Sequence, residues 1–202
     1  MVKKKSKTAL DEISKQASSD PFKVLISTIL SHRTRDESTK KAAESLFSIY
    51  SNALSLSKAS VKEIRKLIKS VGFYRVKSKR IKEVSRILVE NFGGKVPDSL
   101  EKLLSLPGIG RKTANCVLVY AFNKPAIPVD THVHRISNRI GLVRTKNHFE
   151  TELELKKIIP KEHWIRINNL LVSFGQSICK PVSPKCYECS IRSSCEFYKA
   201  NA

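Results

Sequence analysis

Apolar residues recur along this chain at intervals of three and four, the spacing that gathers them on one face of an α-helix. Over residues 22–31, Val24, Leu25, Ile26, Ile29 and Leu30 are so dense that a helix there must be buried on nearly all sides. Asp20-Pro21 ahead of it reads as an N-cap followed by proline in the first turn. A short helix is predicted over 8–17 (Leu10, Ile13), and another, opened by Asp36 or Ser38, runs through Ala42, Ala43, Leu46 and Phe47. Ser60-Val-Lys-Glu63 has the capping-box pattern ahead of Ile64, Leu67 and Ile68, with Gly72 as the C-terminal stop. After an aromatic-basic corner at Phe73-Tyr74-Arg75, residues 77–91 carry Ile81, Val84, Ile87 and Leu88 and close on Gly93-Gly94. Asp98-Ser-Leu-Glu101 caps a further helix, residues 114–122 are apolar all round, and helices follow near 131–140, 150–158 and 163–178. No alternating strand pattern of useful length is present, so the predicted fold class is all-α, with about ten helices and short turns.

Charge adds a statement about partners. Lys plus Arg number 38 against 18 Asp plus Glu in 202 residues, a net +20. Polyphosphate is the leading partner for such a surface, and DNA or RNA its commonest form. An acidic membrane surface competes, but no stretch has the ~20 apolar residues of a spanning helix. The basic N-terminus, residues 1–7, is not followed by the apolar core of a signal peptide, and Asp11 and Glu12 come early. The expectation is a cytoplasmic protein of prokaryotic type, associated with the nucleoid and monomeric.

The stretch Leu106-Pro107-Gly108-Ile109-Gly110-Arg111-Lys112-Thr113-Ala114 is a candidate DNA-binding hairpin. Gly108 and Gly110 permit a tight turn and close approach, and Ile109 between them would plug it into the core. The helix that follows offers its first N–H groups and dipole to a phosphate, with Arg111 and Lys112 adding charge. Such a contact reads backbone, not sequence. A lysine desolvated beside Arg111 at a helix N-terminus has a lowered pKa and can attack a sugar C1′. Asp130 lies eighteen residues on, in Val129-Asp130-Thr131-His132. A helix over 111–122 rises roughly 16–18 Å. Residues 123–129, nearly extended, span up to about 23–25 Å. The chain can therefore return, and Asp130 can assist an attacking amine or stabilise positive charge on the sugar. Local residues alone also allow Lys112 to be a phosphate contact and Asp130 a helix cap.

Cys179, Cys186, Cys189 and Cys195 fall within seventeen residues, whereas Cys116 stands alone on an apolar helix as a small core residue. Four thiolates at such spacing serve zinc or an iron–sulfur cluster equally well. Lys180, Lys185 and Arg192 lie in or beside the loop and could approach phosphate.

Leu-Pro-Gly-Ile-Gly-Arg-Lys-Thr-Ala-Asn, then Val-Asp-Thr-His-Val, then Cys-x6-Cys-x2-Cys-x5-Cys, in that order, resemble the endonuclease III family of helix-hairpin-helix DNA glycosylases, and the resemblance covers the chain from about Pro21 to Cys195. The resemblance implies a two-domain all-α fold: a six-helix barrel over 18–125, and a discontinuous domain of 1–17 and 126–202 holding a 4Fe-4S cluster in loop 179–195, with duplex DNA bound between them. It implies that Lys112 is the nucleophile and Asp130 its acidic partner, and that His132 supports the site or contacts DNA. The implied activity is excision of oxidised pyrimidines, followed by strand cleavage 3′ to the abasic site by β-elimination. In the family, loops corresponding to 32–35 and 72–74 fill the space of the flipped nucleotide. Here Arg33 stands where the family often has glutamine, and Phe73 replaces a common leucine, leaving an aromatic wedge. Alternatives on the same scaffold are an adenine mismatch glycosylase, which usually lacks the lysine and carries a further C-terminal domain, and a thymine or uracil mismatch glycosylase, which Arg33 keeps open. A non-catalytic hairpin module with a zinc knot would need neither Lys112 nor Asp130.

Overall fold

A computed structural model describes residues 20–201; the helix expected over 8–17, and the placement of 1–17 in a domain, lie outside them. Every regular element among the described residues is helical. The chain divides into two compact units, the first ending at Asn123 and the second taking up the chain at Lys124. No helix is long and apolar enough to cross a membrane among the described residues.

The first unit is built on α1 (Pro21–Ser31), which contacts α2 (Asp36–Phe47), α5 (Tyr74–Phe92) and α7 (Arg111–Phe122). The dense apolar run of α1 is explained by those three neighbours: Val24, Leu25, Ile26, Ile29 and Leu30 are all buried. Asp20 caps α1 as expected, accepting from Phe22 N at 2.9 Å. The capping box of α4 (Val61–Leu67) is also present, with Ser60 and Glu63 exchanging hydrogen bonds. Gly93 takes a left-handed φ of 58°, and Gly94 N donates to Leu88 O at 2.8 Å, closing α5.

Several details differ from the sequence reading. A six-residue helix, α3 (Ala53–Lys58), is capped by Asn52 and Ser55 and packs on α5. It is too short for a periodic stripe to announce it. The cap of α6 (Leu100–Leu104) is Ser99, which accepts from Lys102 N. Helix α5 begins at Tyr74, three residues earlier than the pattern, because Phe73 turns the chain abruptly into it. Gly72 does not stop α4, which ends at Leu67 with Ile68 as its C-cap. A side chain at Gly72 would place its first carbon 2.7 Å from the Arg33 carbonyl oxygen, so this glycine serves close approach instead.

The second unit packs α8 (Thr131–Arg139), α9 (His148–Ile158) and α10 (Trp164–Ser177) around Ile127, Val129, Val133, Val143 and Leu155. A 3-10 turn, Lys161–His163, leads into α10 where the pattern gave continuous helix from His163. The cysteine loop follows, and α11 (Glu196–Asn201) ends the described chain.

Candidate functional site

In the first unit, α6 and α7 form the two arms of the hairpin. Leu106 and Ile109 are buried, and Ile109 N donates to Leu106 O at 3.2 Å. Gly108 has φ 69°, and any side chain there would collide with the Arg80 guanidinium lying over it. Gly110 is different. Its φ is −92° and nothing lies within 4 Å of where a side chain would start. The chain's own packing does not require glycine there; the effect is to leave the N-terminus of α7 open, and no side chain caps that terminus. Arg111 and Lys112, half-buried, occupy its first turn.

Beside the hairpin stands a corner that brings Arg33 and Phe73 together. Both have left-handed backbones, at φ 49° and 57°, a conformation that costs a non-glycine residue roughly 1–2 kcal/mol. Both are exposed, Phe73 at 60%, and the Arg33 guanidinium lies 5.8 Å from the centre of the Phe73 ring. The strain is held from beneath by Lys77. Its ammonium donates to Leu30 O at 2.7 Å, His32 O at 2.6 Å and Thr34 Oγ1 at 2.9 Å. Gly72 N donates to the same Thr34 hydroxyl at 3.1 Å. Burial pushes the Lys77 pKa down to about 8, and at neutral pH it still carries the charge that satisfies the last carbonyls of α1. Lys77→Met should therefore leave the Leu30 carbonyl without a donor, and the His32 carbonyl with only the Thr34 hydroxyl at 3.2 Å, and cost about 1–3 kcal/mol. Urea unfolding checks this, and an unchanged midpoint would rule it out.

His32 places its ring against α7, with Nε2 at 3.0 Å from Thr113 Oγ1. Its pKa is pushed down to about 4, chiefly by burial and then by the charges of Lys112, Lys77 and Arg80, so the ring is neutral near pH 7.

In the second unit Asp130 caps α8. Its Oδ1 accepts from His132 N and Val133 N, each at 2.9 Å. The His132 ring lies against α10 at Gly175, where any side chain would collide with Nδ1. Arg135 Nη2 lies 3.2 Å from that nitrogen and donates to Cys179 O at 2.9 Å. Burial, opposed by Asp130, holds the His132 pKa below its ordinary value.

Cys179, Cys186, Cys189 and Cys195 line one cavity together with Arg139, Phe174, Ile178 and Tyr198. The sulfurs are close enough to influence one another: burial first, then Cys179, Cys195 and Cys189, push the Cys186 thiol pKa up. Yet among the described residues no three His, Cys, Asp or Glu side chains converge on a point where a single ion would sit. Arg139 clamps both ends of the loop. It donates to Lys180 O at 2.7 Å, Pro181 O at 2.9 Å and Cys179 Sγ at 3.7 Å, stacks at 4.6 Å on Phe197, and accepts from Cys195 Sγ at 3.5 Å through its carbonyl.

The chain from residue 26 to 161 matches the model of the HhH-GPD superfamily base excision DNA repair proteins. It is 58% identical over 180 residues to endonuclease III of Thermotoga maritima, covering 89% of this chain and 84% of the relative. Identity to endonuclease III of Bacillus subtilis is 40%, over 88% of this chain and 81% of that one. The chain belongs to the endonuclease III family. It is thus a base excision repair DNA glycosylase and lyase. Its fold matches a trapped endonuclease III–DNA covalent intermediate with a TM-score of 0.85 at 36% identity, over 96% of this chain and 95% of that one. It also matches a thermostable thymine-DNA glycosylase at 0.83 and 31% identity, over 90% and 85% of the two chains.

The cations expected to reach for phosphate from the cysteine loop are partly committed elsewhere. Lys185 pairs with Glu188 at 3.1 Å, and Arg192 donates to Tyr187 O at 2.9 Å, while Lys180 is exposed. Cys116 is fully buried in α7, a core residue as expected. Sequence reasoning passed over Lys77, Arg135 and Arg139. Each acts on groups more than forty positions away or on a loop with no helical period, so no local pattern marks it.

Proposed function

We propose that the protein excises oxidised pyrimidines from duplex DNA and then nicks the strand 3′ to the abasic site, with Lys112 as nucleophile and Asp130 as its acidic partner. The observation that carries the reading is Lys112 in the first turn of α7, at a hairpin whose helix N-terminus no side chain caps. Gly108, Ile109, Gly110 and Arg111 seat a phosphate there, and the open space at Gly110 lets the strand come close. Arg33 and Phe73 enter the duplex where the damaged nucleotide has left the stack. His132 orients the turn that carries Asp130.

Lys112 Nζ, as the neutral amine, attacks C1′ of the flipped nucleotide. The C1′–N bond breaks and its electron pair leaves with the base. The amine nitrogen gives up one proton, O4′ takes up a proton as the C1′–O4′ bond breaks and the ring opens, and a protonated Schiff base is left between Nζ and C1′. Removal of a C2′ proton then expels the 3′ phosphate, which is β-elimination. Asp130 supports the deprotonations and the positive charge on the sugar.

Cys179, Cys186, Cys189 and Cys195 are the ligands of a 4Fe-4S cluster in this reading. All four thiols line one cavity, and four thiolates are the donor set such a cluster takes. When bound, the cluster supplies a structural tie. The protein works as a monomer on chromosomal DNA, in the nucleoid of a prokaryotic cell.

A second reading, removal of mismatched thymine, draws on Arg33 and on the likeness to a thymine-DNA glycosylase. One assay separates the two. Duplexes carrying thymine glycol, an abasic site, or mismatched thymine or adenine are incubated with the protein and borohydride. A covalent adduct on thymine glycol and the abasic site is expected. An adduct on the abasic site with base release only from the thymine mismatch would favour the second reading, and no adduct on either would overturn the lysine mechanism.

A further inference from the structure

His32 has no part in the scheme above, yet it joins two pieces of the first unit that the scheme uses separately. It directly precedes Arg33 in the chain, and its carbonyl accepts from the buried Lys77 ammonium at 2.6 Å and from the Thr34 hydroxyl at 3.2 Å. Its ring reaches 81 positions along the sequence to Thr113 Oγ1, at 3.0 Å. Thr113 directly follows Lys112 and is itself buried, at 2% exposure. The backbone of His32 is therefore fixed in the corner that presents Arg33 and Phe73, and its ring in the first turn of the helix that presents Lys112.

We propose that His32 is a positioning residue for Lys112: through Thr113 it sets the first turn of α7 against the Arg33–Phe73 corner, so that the amine is aimed when that corner engages the duplex. The proposal rests on the reading of Lys112 as nucleophile.

The chemistry of the position favours this role. The groups whose charge reaches the ring are Lys112, Lys77 and Arg80, all cationic. A carboxylate in this place would hold Lys112 protonated and idle. A fourth cation would be repelled. A neutral imidazole, kept neutral by burial and by those cations, gives a hydrogen bond without either effect. An apolar side chain would fill the space but leave the Thr113 hydroxyl without its partner. Displacement of a nucleophile by an ångström is enough to slow attack substantially.

The test uses the full-length protein. Single-turnover borohydride trapping on an abasic-site duplex is compared with affinity for a duplex carrying a tetrahydrofuran abasic analogue, which cannot form a Schiff base. Variants are His32→Leu, His32→Gln, Thr113→Val and the Leu/Val double, with melting temperatures to confirm folding. His32→Leu is expected to slow trapping about tenfold or more, with affinity changed by less than about twofold. His32→Gln, whose amide can bond Thr113 without charge, should recover most of the rate. The double variant should be no slower than the slower single, because both remove one interaction. Should His32→Leu fail to fold, Thr113→Val alone breaks the same bond. Trapping at the wild-type rate by either single variant, or a loss that follows affinity in equal measure, overturns the proposal. Absence of any adduct with the wild-type protein would instead strike the Lys112 reading, and it would show before a variant is made.

Discussion

Lys112→Gln is expected to bind an abasic-site duplex and to form no borohydride-trapped adduct with it. Glutamine keeps most of the side chain's length and removes the amine. The first turn of α7, the Gly108–Gly110 turn and the uncapped N-terminus all remain, so the proposed phosphate seat is left in place. Affinity should fall only by what one charge contributes to phosphate binding, a few-fold at moderate salt. Trapping requires a nitrogen nucleophile, and the loss of a group that forms the covalent bond lowers rates by roughly 10³–10⁶. Gel-resolved adduct and a parallel binding measurement check both halves of this statement. An adduct of wild-type intensity from Lys112→Gln would move the nucleophile to another amine. A parallel loss of binding and trapping would make Lys112 a phosphate contact and nothing more.

The second large effect is expected at the cysteine loop. Cys186→Ser should lose the visible sulfur-to-iron charge-transfer absorption of the protein and much of the stability of the second unit. The reason lies in what the loop lacks. Val182 is 80% exposed, Tyr187 73% and Ile191 41%, so the loop has almost no apolar burial of its own. Apart from bonds from Arg135, Arg139 and Arg192, the Lys185–Glu188 pair and a few backbone hydrogen bonds, the thiols are what is left to hold it. Metal binding in such a segment is folding free energy. A loss of about 3 kcal/mol would lower the melting temperature of a chain this size by roughly 6–12 °C. Iron and sulfide analysis, the visible spectrum and a thermal melt together test this. A colourless wild-type protein with one zinc per chain would replace the cluster with a zinc knot. A coloured Cys186→Ser protein that melts as the wild type does would remove Cys186 from the ligand set.

How far the sequence alone reached depends on the range of the interaction. The Asp20 cap, the Ser60–Glu63 capping box, the Gly93 closure and the glycine turn of the hairpin are each complete within a few residues, and each is present. Their physics is local: a side chain satisfies a backbone group three positions away, or a glycine admits a φ that other residues resist. The apolar period was enough to delimit most helices and to mark α1 as buried, because burial on all sides leaves no polar face. The motif order placed the chain in its family, and with it the reaction.

Tertiary structure decided the rest. Gly72 looked like a helix stop, but it is a close approach to the carbonyl of Arg33, a residue far away in the chain. Lys77 only opens the apolar pattern of residues 77–91 and carries no mark of its own in the sequence. It is buried, and it holds the left-handed corner of Arg33 from 43 to 47 positions away. His32 lies in the 32–35 loop with no pattern to single it out, yet its ring is bonded to the residue after Lys112. Arg139 gave no signal at all, and it ties the two ends of the cysteine loop. None of these is a matter of residue type or spacing. Each depends on which polar groups folding brings together away from water, where an unpartnered donor or acceptor is costly. The hairpin turn was written in nine consecutive residues; the buried polar contacts around it were settled only when the chain folded.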